Sequence, residues 1–197
     1  MRIGVCASPD RWGNVAAAGY DYVEGNFSKI AMATDEEFEE MKSALAASRL
    51  KMEATNGFFP SAFTLYSKDD FESVRKNVRE YCERGFARGA ELGQRVAVIG
   101  SSGARNIREG YTKDEAEEQF CEVLRICGEV GLKYGVAVTV EPLNAKETNF
   151  IITRRMARSC RHLTAPRVSL STPTWRAPTD RRPHKTTRRR STRRSRT

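Results

Sequence analysis

Apolar and polar positions alternate with period two in five short segments of the chain: Arg2 to Ser8, Tyr20 to Gly25, Lys51 to Asn56, Arg95 to Gly100 and Val136 to Glu141. Each combines β-branched or apolar residues with a small or polar end, which predicts strands. Between the later segments the period changes to that of a helix. Phe71, Val74, Val78 and Tyr81 share one helical face, and Phe120, Val123, Leu124 and Cys127 share another. Thr34 stands three residues before Glu37, and Thr112 three before Glu115. In that arrangement the hydroxyl caps the helix while the carboxylate reaches back to the capping residue's N–H. Ser67 is the expected cap of the helix that carries Phe71, and Gly135 the expected helix stop before the fifth strand.

Strands alternating with helices predict a parallel sheet wrapped by helices. In the fifth strand Val136, Val138 and Val140 share the larger face, which would meet the helices. Ala137, Thr139 and Glu141 share the smaller, more polar one. The first strand divides likewise, with Ile3 and Val5 outward and Gly4, Cys6 and Ser8 inward. A polar inner face ending in a carboxylate favours a (β/α)₈ barrel, which carries its chemistry at the C-terminal ends of its strands. An open doubly wound sheet is the competing architecture, but no GxGxxG follows a strand to support it. The expected fold is thus α/β, a partial (β/α)₈ TIM barrel of about five parallel strands and four helices over residues 1 to 151. A basic tail, expected to be disordered, follows over 152 to 197.

Charge separates the same two parts. Residues 1 to 150 hold 19 Lys and Arg against 24 Asp and Glu, and residues 151 to 197 hold 15 against the single Asp180. The net charge of +9 therefore belongs to the tail alone. Rich in Arg, Thr, Ser and Pro, the tail cannot bury enough apolar area to offset its ordering entropy, and a short strand or helix near Val168 to Leu170 is the most its pattern allows. A frameshifted terminus is the first explanation for such a composition. A nucleic-acid-binding arm is the second, since clustered arginines neutralise phosphates whatever their sequence. A phosphorylation-controlled interaction arm is the third. No apolar run is long enough to cross a membrane, and the N-terminus carries no secretory pattern. The five cysteines show no CxxC or zinc-like spacing and read as the reduced thiols of a cytoplasmic protein.

Three segments carry a resemblance. They are Glu141-Pro142-Leu143-Asn144-Ala145-Lys146-Glu147-Thr148-Asn149, the run Val98 to Asn106, and Tyr20 to Glu24. Together they resemble the xylose-isomerase-like superfamily of sugar phosphate isomerases and epimerases, which includes the ketose 3-epimerases. The resemblance implies a divalent metal held by Glu, Asp, His and Glu from the last four barrel strands, with Glu141 as the first of them. It also implies that Glu141 is one of two acid/base carboxylates and that Glu147 contacts the sugar. Moving a hydrogen beside a carbonyl needs a base for a weakly acidic C–H and positive charge for the enediolate oxygen. Such a ligand set suits Mn²⁺, Mg²⁺ or Co²⁺, with Zn²⁺ also open.

The other residues keep two readings each. Glu24 lines the site or makes a structural hydrogen bond. Asn144 contacts substrate or forms an Asx turn. Ser101, Ser102 and Gly103 offer backbone N–H groups to an anion or make a plain loop, and Arg105 is a phosphate candidate. The second acid/base carboxylate is not visible. His162, His184 and Asp180 fall where no barrel strand is expected, so metal is expected to bind weakly or not at all and the chain to turn over little or nothing, as an inactive member. Five strands cannot close a barrel, so the first and fifth would expose edges open to pairing in a homo-oligomer. A half barrel whose basic tail binds nucleic acid is the alternative function. An endonuclease acting on abasic DNA needs histidine ligands, and residues 1 to 150 contain none.

Overall fold

The computed structural model describes residues 2–151 and 168–170. The strands are β1 (Gly4–Cys6), β2 (Tyr22–Asn26), β3 (Met52–Asn56), β4 (Val96–Ile99), β5 (Ala137–Val140) and β6 (Val168–Leu170). All neighbours pair in parallel, in the order β1-β2-β3-β4-β5-β6. Consecutive parallel pairing with a helix in each crossover from β1 to β5 is the winding of a (β/α)₈ barrel, and these strands form part of one. The strands are shorter than the alternation suggested, although flanking positions still bond across, as Arg95 N does to the Glu53 carbonyl and Ala7 N to the Glu24 carbonyl. One expectation fails here: β5 is not an edge, since Val138, Thr139 and Val140 pair with Val168, Ser169 and Leu170. Apart from that strand, the disorder expected of 152 to 197 falls outside the described residues.

Among the described residues the α-helices are α1 (Trp12–Ala17), α2 (Phe27–Met32), α3 (Asp35–Ser48), α4 (Phe71–Glu91), α5 (Ser102–Arg105) and α6 (Lys113–Lys133), two short ones more than the four expected. The additional α2 and α5 are short and sit in the loops after β2 and β4, too brief for a hydrophobic period to reveal. Both expected capping boxes are formed, at Thr34 with Glu37 and at Thr112 with Glu115. The cap of α4 is Asp70 rather than Ser67. Asp70 Oδ1 accepts from Ser73 N at 3.0 Å, while Ser67 Oγ is used one turn earlier by Asp70 N at 2.9 Å. Gly135, at φ +71°, ends α6 as expected.

Two clusters make the core. The larger fills the space between α2, α4, α6 and the outer face of β4 and β5, where Val136, Val138 and Val140 are buried as the alternation requires. Its centre is aromatic: Phe27 stacks on Phe58 with centroids 4.0 Å apart, and Phe86 meets both. The smaller cluster joins Trp12, Val15, Phe38 and Leu45 of α1 and α3 to Val23 and Met52. Val5 packs against it, but Ile3, expected outward under a helix, is 50 % exposed because it precedes β1. Among the described residues no helix is long and apolar enough to cross a membrane. Cys6, Cys82 and Cys127 are free, whereas Cys121 is disulfide-bonded, which departs from the fully reduced set expected.

Candidate active site at the C-terminal ends of the strands

Side-chain alternation along β2 sends Val23 and Gly25 into the helix-side core and leaves Tyr22, Glu24 and Asn26 on the barrel's inner face. Register then collects polar groups at the strand ends, with Cys6 beside Glu24 and Asn26 beside Asn56. Asn56 Nδ2 donates to Cys6 Sγ at 3.2 Å, and the Asn56 side chain also hydrogen-bonds Glu24. Burial raises the Glu24 carboxyl above its ordinary range and the negative charge of Glu141 adds to this, against a smaller lowering from Asn56. No Lys or Arg pairs with Glu24 among the described residues. Glu24 and Glu141 therefore share one field across the inner face, with β3 and β4 between their strands.

Glu141 is the first residue past β5. Its N–H continues the ladder to the Ile99 carbonyl at 3.0 Å. Its carboxylate lies over Gly100, where an added Cβ would stand 3.1 Å from Oε2. Gly100 follows the outward Ile99, so the carboxylate is on the inner side, at the mouth. A cavity of about 250 Å³ opens instead at the ends of β1 to β3, lined by Cys6, Trp12, Ile30, Met41, Met52 and Asn56 among others, mostly apolar, and neither Glu24 nor Glu141 lines it.

The loop after Glu141 is shaped by its own side chains. Asn144 Oδ1 accepts from Lys146 N at 2.8 Å, the Asx turn. The exposed Glu147 carboxylate hydrogen-bonds the Asn144 side chain and its N–H donates to the Asn144 carbonyl at 3.0 Å. The structure thus brings Asn144 and Glu147 to each other, and no hydrogen bond joins either to Glu24 or to the Glu141 carboxylate. Asn149 binds the loop to the β4 side by exchanging hydrogen bonds with Ile107, at 2.9 and 3.0 Å.

Arg105, the phosphate candidate, is 0 % exposed and donates to the main-chain carbonyls of Glu141 at 2.8 Å and Ile151 at 3.4 Å. Burial lowers its pKa to about 10, with Glu141, Tyr66 and Glu147 pulling the other way, so it stays a cation at neutral pH. The neighbouring Ser101, Ser102 and Gly103 do not form an open anion cradle either. Ser101 Oγ accepts from Phe59 N at 2.9 Å, and Ser61 covers Gly103 so closely that an added Cβ would stand 2.7 Å from it.

Cys6 and Asn56 are the site residues that sequence reasoning missed. The only signal for Asn56 was its place at the end of the third strand, before Gly57. Among the described residues no three His, Cys, Asp or Glu side chains gather where they could hold a metal ion. Two inner-face carboxylates suit a hard cation chemically but are too few to bind one. The described residues therefore do not by themselves fit the divalent ion that the resemblance implies.

A family model described as xylose isomerase-like TIM barrel matches residues 12–172, which reaches past β6. No curated protein sequence matches the chain. Similar solved structures include 3-keto-D-glucoside 4-epimerase YcjR from E. coli, with 21 % identity, TM-score 0.66, and 86 % of this chain and 67 % of that one covered. D-psicose 3-epimerase from Clostridium cellulolyticum H10 shares 19 % identity with TM-score 0.69, covering 86 % and 62 %. A family 2 AP endonuclease from Brucella melitensis shares 16 % with TM-score 0.64, covering 87 % and 68 %. The chain thus spans about two thirds or less of the lengths of these similar structures. With the consecutive parallel winding and the matched residues in agreement, the chain belongs to the xylose isomerase-like TIM barrel family.

Proposed function

We propose that this chain is a sugar isomerase or epimerase homologue in which Glu141 exchanges a proton at the carbon beside a ketose carbonyl. The observation that carries this reading is the Glu141 carboxylate, held over Gly100 at the barrel mouth. A carboxylate fixed by a strand end on one side and a loop tied down by its own hydrogen bonds on the other is a base with little freedom to lose. Glu24, on the inner face and shifted towards its neutral form, is suited to meet a sugar hydroxyl as donor or acceptor. Asn144 and Glu147 shape the loop rather than hold the sugar. The chemistry of the similar solved structures, whose names include ketose and ketoglycoside epimerases, agrees with this substrate class.

Glu141 would be one ligand of a divalent ion such as Mn²⁺ only where donors outside the described residues completed the set. With the described donors alone, binding is expected to be weak and turnover low. The test is a set of ketohexoses, D-fructose, D-psicose and D-tagatose, incubated with and without Mn²⁺ and followed by NMR. Slow epimerisation that Glu141→Gln abolishes supports the reading. Epimerisation that survives the substitution, or no solvent hydrogen entering any ketose, defeats it.

A further inference from the structure

Within the described residues Arg105 is the one charged side chain with no exposed surface. Burying a guanidinium costs several kcal/mol unless its donors are used well, so what it is spent on is informative. Nη1 donates to the carbonyl of Glu141, the first residue of the loop after β5. Nη2 donates to the carbonyl of Ile151, ten residues on and the last described residue before β6. Leu143 N also donates to the Ile151 carbonyl, at 3.3 Å. Arg105 Nε has no partner among the described residues, so the cation rests on these two carbonyls and the nearby negative charge of Glu141.

Two further details show that the arrangement is held rather than incidental. Ile151 has φ +58°, a left-handed conformation that a β-branched residue adopts only under constraint from its surroundings. That conformation delivers its carbonyl to Leu143 and Arg105 together. Arg105 is itself fixed, because Tyr66 Oη donates to its carbonyl at 2.6 Å and its N–H donates to the Ser101 carbonyl at 3.1 Å.

We infer that Arg105 is a positioning residue: its guanidinium ties the two ends of the Glu141–Ile151 loop together and so fixes the main chain from which the Glu141 carboxylate reaches the barrel mouth. It touches no substrate in this role. The inference rests on the proposed role of Glu141 for its catalytic meaning, while the clamp itself is a statement about the loop.

The experiment measures hydrogen–deuterium exchange on the full chain as wild type, Arg105→Met, Arg105→Lys and Tyr66→Phe, with ketohexose turnover measured on the same samples. In Arg105→Met, exchange in 141–151 should rise about tenfold or more while α4 and α6 stay within about twofold. Arg105→Lys keeps the charge and one donor and should recover part of the protection. Unchanged exchange in 141–151, or an equal rise in every element, overturns the clamp. Should Arg105→Met fail to fold, Tyr66→Phe removes one hydroxyl without leaving a void. It should then show the same localised rise on a smaller scale, and its absence counts against the clamp. In turnover, kcat should fall about 10- to 100-fold in Arg105→Met with KM within about twofold, and Arg105→Lys should restore part of it. Equal losses in kcat and affinity, with no recovery by Lys, mean a merely structural arginine. A wild type without any turnover removes the role of Glu141, and the exchange data still decide the clamp.

Discussion

The Glu141 carboxylate occupies the space that a side chain on Gly100 would need, with Oε2 3.1 Å from the position of an added Cβ. The two residues end adjacent paired strands, so the missing side chain on one shapes the reach of the other. Gly100→Ala should push the carboxylate aside by a few tenths of an ångström. Since only the end of a flexible side chain must move, the stability cost should stay below about 1 kcal/mol, the low end for added core volume. Ketose turnover should fall much further, by about tenfold or more, because a displaced base loses its alignment. Thermal melts together with the ketohexose assay check this, and equal activity of the variant would mean that the carboxylate is not used where it stands.

Glu24 makes the stability of the protein depend on pH in a direction opposite to that of a salt-bridged carboxylate. Its folded-state pKa is raised, chiefly by burial and further by Glu141. A carboxyl of this kind favours the fold while protonated; the contribution is present below the ordinary carboxylate range and is lost as pH rises through the raised value. Glu24→Gln imitates the protonated form. The variant should melt above wild type near neutral pH, and the difference should shrink towards about pH 4, where both carry a neutral side chain. Melting curves across that range decide it; a variant less stable than wild type at neutral pH would show that the carboxylate is held by favourable contacts instead.

Gly85 tests close packing against helix propensity. Alanine in a helix interior is favoured over glycine by about 1 kcal/mol. At this place in α4 an added Cβ would stand 2.4 Å from Phe27 Cζ, and Phe27 cannot yield because it is stacked on Phe58. Overpacking of that kind costs about 1–3 kcal/mol and should win, so Gly85→Ala is expected to be destabilising. Urea unfolding that shows a more stable variant would mean that the Phe27–Phe58 stack is loose.

Removing the α3 cap has a simpler outcome. Thr34 Oγ1 accepts from Glu37 N at 3.2 Å while Glu37 Oε2 accepts from Thr34 N at 2.8 Å. Thr34→Ala should cost about 1 kcal/mol in chemical denaturation.

Thiol reactivity should follow exposure. Cys6 is exposed at the mouth, whereas burial raises the Cys82 thiol well above its ordinary value. Iodoacetamide with peptide mapping on the native protein should label Cys6 and leave Cys82 unmodified, and early labelling of Cys82 would point to an opening between α4 and α6.

The amino-acid sequence by itself determined the local layer of this structure. Strand positions, the capping boxes at Thr34 and Thr112, and the burial of Val136, Val138 and Val140 all follow from periods of two and 3.6 and from bonds between residues three apart. These features need no knowledge of what the chain later meets. Glu141 was legible for the same reason, as the polar end of an alternating strand. Only the tertiary structure decided what lies opposite. It set Asn56 against Cys6, gave β5 a partner in Val168–Leu170, and buried Arg105, a phosphate candidate in the sequence, against two main-chain carbonyls. The Arg105 contacts join residues 36 and 46 positions away, and nothing in the spacing of a sequence tells whether a guanidinium at that distance will find water or main-chain oxygen. That choice depends on how much space the packed helices and the returning loop leave, which is a property of the assembled fold.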